Sequence, residues 1–189
     1  MGHVNFNLVN AATLGTLVPP VGAFAFMPPG LAGAGLYIIF NSNTNNRYVG
    51  KSGNLTTRFQ TRLESVGELG FSTAQLNQVI AYWGTVSVGN TPALGGIPVL
   101  LGVPAGGYAG GVSLWGTIDG VNVEMERLLI RFIMTQFVGG FVTNNQWAAI
   151  GATYTNPTPN PINVRLNYGA AGNFAAGNPV AVWGVGQAW

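Results

Sequence analysis

Arg47, Lys51, Arg58 and Arg62 lie close together in a chain that is otherwise almost without charge, and Tyr37 and Tyr48 stand beside them. Lys and Arg number 7 and Asp and Glu 5 among 189 residues, so this one segment holds most of the cations. Guanidinium groups present a planar fork that fits phosphate oxygens, and an ammonium supplies a compact point charge. Cations next to tyrosines, on a hairpin that leads into a helix, therefore read as a site for phosphate.

Other chemistries are narrowed by what the chain lacks. Gly50-Lys51-Ser52 has the look of the end of a P-loop, but the position five residues earlier is Asn45 where that loop needs glycine. There is no cysteine, which removes disulfides and thiolate metal sites, and the single histidine is His3, which rules out a histidine triad or a multi-histidine metal centre. A formal net charge of +2 offers no broad basic coat, so binding of a polyanion must be focused in one place. The stretch before Arg47 is apolar and uncharged, yet Pro19-Pro20, Pro28-Pro29 and many glycines interrupt any spanning helix. The start lacks the basic residues of a Sec-type signal, which leaves a cytoplasmic location or export by another route.

The elements that must position these residues follow from local pattern. Leu36 to Phe40 reads as a buried strand, Asn41 to Asn46 as a polar turn and Arg47 to Gly50 as the returning strand. Leu55, Phe59, Leu63 and Val66 recur at helix spacing after Asn54, a plausible N-cap, and Arg58 and Arg62 share one face of that helix. Ala74 to Ala81 is expected as a short helix and Trp83 to Val88 as a third strand. The uncharged Gly/Pro-rich stretch 89–116 reads as a long loop or lid, with Val99 to Val103 a short strand within it. Asp119-Gly120 signals a turn, and Val123 to Phe137 is the strongest helix, with Leu128, Leu129, Phe132, Ile133 and Phe137 on its apolar face. Thr153 to Pro161 reads as a linker.

Gly35-Leu36-Tyr37, Tyr48-Val49-Gly50 and Arg58 within Leu55-Thr56-Thr57-Arg58, followed by Glu126-Arg127-Leu128-Leu129-Ile130, resemble the signature of the GIY-YIG nuclease superfamily. The resemblance covers roughly residues 34 to 135, most of it short motifs. It implies an α+β fold, a small three-stranded mixed sheet flanked by helices, here with long Gly/Pro-rich loops and N- and C-terminal extensions. The expected divisions are an apolar extension over 1–33, a nuclease-like domain over 34–168 with a Gly/Pro-rich insertion at 89–118, and a tail over 169–189. The implied activity is divalent-metal-dependent hydrolysis of phosphodiester bonds in DNA, with RNA also open. Glu126 would hold the Mg²⁺ or Mn²⁺, with Glu124 the alternative. Arg58 would bind the scissile phosphate, Tyr37 would activate or position the water, Tyr48 would support it, and Lys51 would lower the tyrosine pKa and hold phosphate. Arg47 and Arg62 would contact substrate, Arg62 standing where many relatives carry a histidine. Asn167, in Leu166-Asn167-Tyr168-Gly169, is similar to a late asparagine of the family.

Taken singly, each of these residues has a plainer reading. Tyr37 and Tyr48 are ordinary core aromatics, Arg58 and Arg62 a solvated helix face, and Glu126 with Arg127 and Arg131 surface charge. Their joint occurrence in a chain this poor in charge favours a site. So few charges leave little for reading base sequence, which points to an endonuclease of low specificity, either restriction-like or a bacterial toxin; a toxin would bring an immunity protein as partner. The competing class is a non-catalytic structural or interaction protein that keeps the nuclease fold, motivated by the charge depletion and the apolar loops. Strandedness of the substrate and oligomeric state are open at this level.

Overall fold

Strict alternation of apolar and polar residues is written into both ends of the chain, and it dictates the architecture. Val4, Phe6 and Leu8 alternate with Asn5 and Asn7, and Ile162, Val164 and Leu166 alternate with Asn163, Arg165 and Asn167. That period sends one set of side chains to each face of a sheet. In the computed structural model, which describes residues 2–17, 35–55, 58, 73–89, 99–100, 115–136, 142, 155–169 and 180–187, both segments are strands. The elements are β1 (Gly2–Thr13), α1 (Leu14–Leu17), β2 (Gly35–Asn41), β3 (Asn46–Ser52), a 3₁₀ segment (Thr73–Gln78), β4 (Val79–Gly89), β5 (Val99–Leu100), β6 (Trp115–Ile118), β7 (Val121–Glu124), α2 (Met125–Gln136), β8 (Ile162–Tyr168) and β9 (Val180–Trp183).

Six strands run in the order β3-β2-β4-β1-β8-β9, with β5 paired to β4 as a seventh; β6 and β7 form a separate hairpin. Only β1 and β8 pair in parallel, so the main sheet is mixed. It curls into a half-barrel. The expected α+β fold with a small three-stranded sheet flanked by helices is thereby overturned: the described residues are mostly strand, and α2 is their one long helix. The physical reason is the alternation just given, which recruits β1 on one side of β4 and β8 and β9 beyond it. Other expectations are corrected locally. The short helix expected over Ala74–Ala81 is a 3₁₀ turn that ends at Gln78, where the β-branched Val79 and Ile80 open β4. Helix α2 begins at Met125 rather than Val123, because Val123 and Glu124 still pair with β6. Val99–Leu100 is a strand as expected, whereas Phe59, Arg62, Leu63, Val66 and most of the expected lid lie outside the described residues.

The even-numbered side chains of β1, β2, β4 and β8 face one core. It contains Phe6, Leu8, Ile38, Phe40, Tyr82 and Leu166, and α2 inserts Met125, Leu128, Leu129, Phe132 and Ile133 into it. The ring of Phe132 reaches Trp183 of β9, with centroids 5.8 Å apart. A second, smaller core lies behind β2 and β4, where Leu14, Tyr37, Ile39, Leu55, Val79, Ala81 and Trp83 pack together. Strand β2 is consequently buried along its whole length, which explains its continuous apolar run. The β6–β7 hairpin closes through Asp119 (φ 49°) and Gly120 (φ 81°), the paired positive dihedrals of a type I′ turn. This turn places Glu124 at the start of α2. Phe132→Ala is expected to cost about 3–5 kcal/mol, measured as a lower midpoint in urea unfolding, because Phe132 is fully buried between α2 and β9.

Candidate functional site

The hairpin of β2 and β3 fixes the register on which the site depends. Asn41 pairs with Asn46, the turn between them places Asn45 at φ 59°, and the Asn43 amide donates to Asn41 Oδ1 at 3.0 Å. Along the hairpin Tyr37 stands opposite Gly50 and Leu36 opposite Lys51. Directly opposed residues share a face, so Tyr37, Ile39 and Tyr48 project into the smaller core. Leu36, Ile38, Val49 and Lys51 are on the face that α2 covers. The Tyr37 ring lies across Gly50 so closely that a Cβ there would sit 2.2 Å from Cζ, which reserves the position for glycine. Tyr37 stacks on Tyr48 with centroids 6.2 Å apart and planes at 28°, and only 1 % of Tyr37 is exposed.

On the other face Lys51 meets the beginning of α2. Its Nζ lies 2.6 Å from Glu124 Oε1 and 3.1 Å from Glu126 Oε2. Glu124 is the residue before the helix and acts as its N-cap: Oε2 accepts the backbone N–H of Arg127 at 2.6 Å. That bond satisfies one of the donors left open in the first turn. Glu126, inside the first turn, is less enclosed, with 13 % of its side chain exposed against 6 % for Glu124. Burial opposes the charge on Lys51, but the hydrogen bond and charge of Glu124, then those of Glu126, outweigh it and hold the ammonium above its ordinary value. Burial and the neighbouring Glu124 raise the Glu126 carboxyl above its ordinary value, against the opposing pull of Lys51 and Arg58. Arg58 therefore belongs to the same cluster. It is carried on the turn after β3, where its N–H bonds the carbonyl of Asn54 at 3.1 Å in helical spacing.

Lys51 and Glu126 thus come together from positions 75 residues apart (126 − 51), and the charge of Arg58 acts on the same carboxyl. Tyr48 lies three residues before Lys51 on β3 and Tyr37 lies opposite Gly50 on β2, but both tyrosines project from the opposite face of the hairpin. Arg47 sits at the far end of β3, 3 % exposed. Its guanidinium stands 4.9 Å from the Phe40 ring centre and donates to the Asn45 carbonyl at 2.9 Å. Asn167 is on β8, four strands away in the sheet order, and its amide donates to Asn7 Oδ1 at 2.8 Å. Arg62 lies outside the described residues. Sequence reasoning did not find the double engagement of Lys51 or the capping role of Glu124. The signal available was a Glu-x-Glu pair at a strand–helix junction in a chain whose only lysine is Lys51.

No protein-family model, curated protein or solved structure matches this chain.

The raised Glu126 carboxyl has a consequence for stability. Folded Glu126 holds its proton more tightly than unfolded Glu126, whose ordinary value is 4.5, so on its account the fold loses stability as pH rises from about 4.5 through the folded value. Above that window the loss is complete. Glu126→Gln is therefore expected to melt at or above the wild-type temperature at pH 7, with the difference disappearing near pH 4. Thermal melts of the two proteins across that range check this, and a Gln variant that melts well below wild type at pH 7 contradicts it.

Proposed function

We propose that the chain hydrolyses phosphodiester bonds in DNA at the cluster formed by Lys51, Arg58 and Glu126. The observation that carries this reading is the ion pair of Lys51 with Glu126, joined from distant parts of the sequence, with the charge of Arg58 acting on the same carboxyl. Burial and Glu124 keep that carboxyl above its ordinary value. Perturbed titratable groups of this kind concentrate at functional sites.

The donor chemistry fits a hydrated divalent cation, which needs no more than one or two carboxylates beside its waters. Among the described residues no three His, Cys, Asp or Glu side chains gather at one point. Both oxygens of Glu124 are engaged, by Lys51 and by the Arg127 N–H, so Glu126 would hold the ion. Mg²⁺ or Mn²⁺ bound there supplies neutralisation of phosphoryl charge and a more acidic water. The remaining work falls to the chain itself. Arg58 grips the non-bridging oxygens of the scissile phosphate through its guanidinium fork. Lys51, turning from Glu126 toward the phosphate, donates to an oxygen on which negative charge develops. Tyr37, closed into the smaller core, holds β3 against β2 at Gly50 and so fixes the backbone that carries Lys51.

A second reading is favoured by the Lys51–Glu124 bond. A half-buried cation joined to a helix cap is also what a purely structural latch between β3 and α2 would use, in a protein with an interaction role and no catalysis. One experiment separates the two. Purified protein is incubated with supercoiled plasmid, linear duplex, single-stranded DNA and RNA in the presence of Mg²⁺ or Mn²⁺. Cleavage by the wild type is expected to fall by about 10²–10³-fold in Glu126→Gln and in Arg58→Ala. A wild type as inert as Glu126→Gln on every substrate would establish the latch instead.

A further inference from the structure

We infer that Glu124 is a positioning residue that keeps Lys51 over the site when Lys51 releases Glu126 to meet a phosphate. This rests on the phosphodiesterase reading above, and it concerns a residue that the sequence treats only as an alternative metal ligand. The two carboxylates that share Lys51 are not equivalent. Glu124 is the more buried, makes the shorter contact at 2.6 Å, and is itself held from behind by the Arg127 N–H on its other oxygen. Its position is thus set by the end of a 12-residue helix that is docked in the main core. Glu126 makes the longer contact at 3.1 Å and is the more exposed.

An ammonium carries three N–H donors. Lys51 can therefore exchange the longer, wetter contact for a phosphate oxygen while it retains the short one. Glu124 reaches no substrate in this arrangement; it acts through Lys51. The capping bond matters here because a carboxylate tethered at one oxygen presents the other in a fixed direction. A free surface glutamate would follow the lysine wherever it went and would fix nothing.

The inference is tested on the intact chain with a readout that does not require activity. Because Lys51 is the only lysine, protein labelled with ¹⁵N-lysine gives one side-chain ammonium signal. At near-neutral pH that signal is seen only when burial or a persistent ion pair or hydrogen bond slows proton exchange, so all variants are compared under identical conditions. Glu124→Asp keeps a carboxylate suited to capping but is one methylene too short to span both partners. Glu124→Gln keeps the length and a capping oxygen without the charge. The signal is expected in wild type and in Glu126→Gln and lost in both Glu124 variants, with melting temperatures within about 5 °C of wild type. In the cleavage assay kcat of both Glu124 variants is expected to fall about 10- to 100-fold with KM within about two-fold, the pattern of a misplaced group rather than a lost binding contact.

A signal retained in the Glu124 variants, or lost in Glu126→Gln, overturns the inference, as does wild-type kcat in Glu124→Asp; Glu124 is then a helix cap alone. A wild type that cleaves nothing defeats the phosphodiesterase reading, and the ammonium signal still decides whether Glu124 anchors Lys51.

Discussion

Helix α2 has to be covered, and most of the structure follows from how the sheet covers it. Six of its residues, Met125, Leu128, Leu129, Ile130, Phe132 and Ile133, are buried. Each such side chain gains about 1.5–3 kcal/mol from leaving water, whereas the enclosed Lys51 and glutamate charges must offset their own desolvation before they stabilise anything. Docking of the helix therefore decides the architecture, and the charged cluster at its N-terminus adapts to it. A flat sheet would leave the flanks of α2 in water. The curled sheet carries apolar side chains from Val49 on β3 round to Trp183 on β9, so that one continuous face meets the helix.

That geometry places the charges where it does. The N-terminus of α2 meets β3 there, where Lys51 touches both glutamates while it and Glu126 keep part of their side chains exposed. The positive end of the helix dipole favours carboxylates there, and Lys51 adds to the effect. Glu124 and Glu126 share these benefits unequally. Glu124 caps the helix and holds the ammonium, so its charge is well used. Glu126 has its charge opposed by burial and by Glu124. This asymmetry separates the two carboxyls physically, and on the reading proposed above it makes Glu126 the candidate reactive member of the pair.

The parts of the fold legible in the sequence were those set by local chemistry. The β2–β3 hairpin, the Asp119-Gly120 turn and the apolar stripe of α2 each announce themselves within a dozen residues. The missed part was the extent of the sheet. The alternation of Val4, Phe6 and Leu8 with Asn5 and Asn7 is a strand signal, but it sits in an uncharged, Gly/Ala/Pro-rich neighbourhood that reads as an arm. Its partners, β4 and β8, are contributed from residues 79–89 and 162–168, and no local pattern announces pairing at that separation. The structure adds the pairing of Lys51 with Glu126. Glu126, Lys51 and Arg58 could be singled out as candidates from the motif resemblance. The separation of the tyrosines from them could not, because it depends on which face of the hairpin each core occupies.

The second face of the sheet changes character along its width, and this bears on what the site can do. Behind β2 and β4 it is apolar, with Tyr37, Ile39 and Trp83. Behind β1 and β8 it carries His3, Asn5, Asn7, Asn163, Arg165 and Asn167, paired strand to strand. Asn167 belongs to that polar face, bonded to Asn7 across the β1–β8 pairing. The cluster on the other face is charge-balanced: Lys51 and Arg58 against Glu124 and Glu126 sum to zero. With a net charge of only +2 on the whole chain, no long-range field draws a polyanion toward it. On the reading proposed above, affinity for phosphate at this site has to be short-ranged and directional, supplied by the Arg58 fork and by an ammonium that changes partners. An anchored lysine suits that demand better than a freely solvated one.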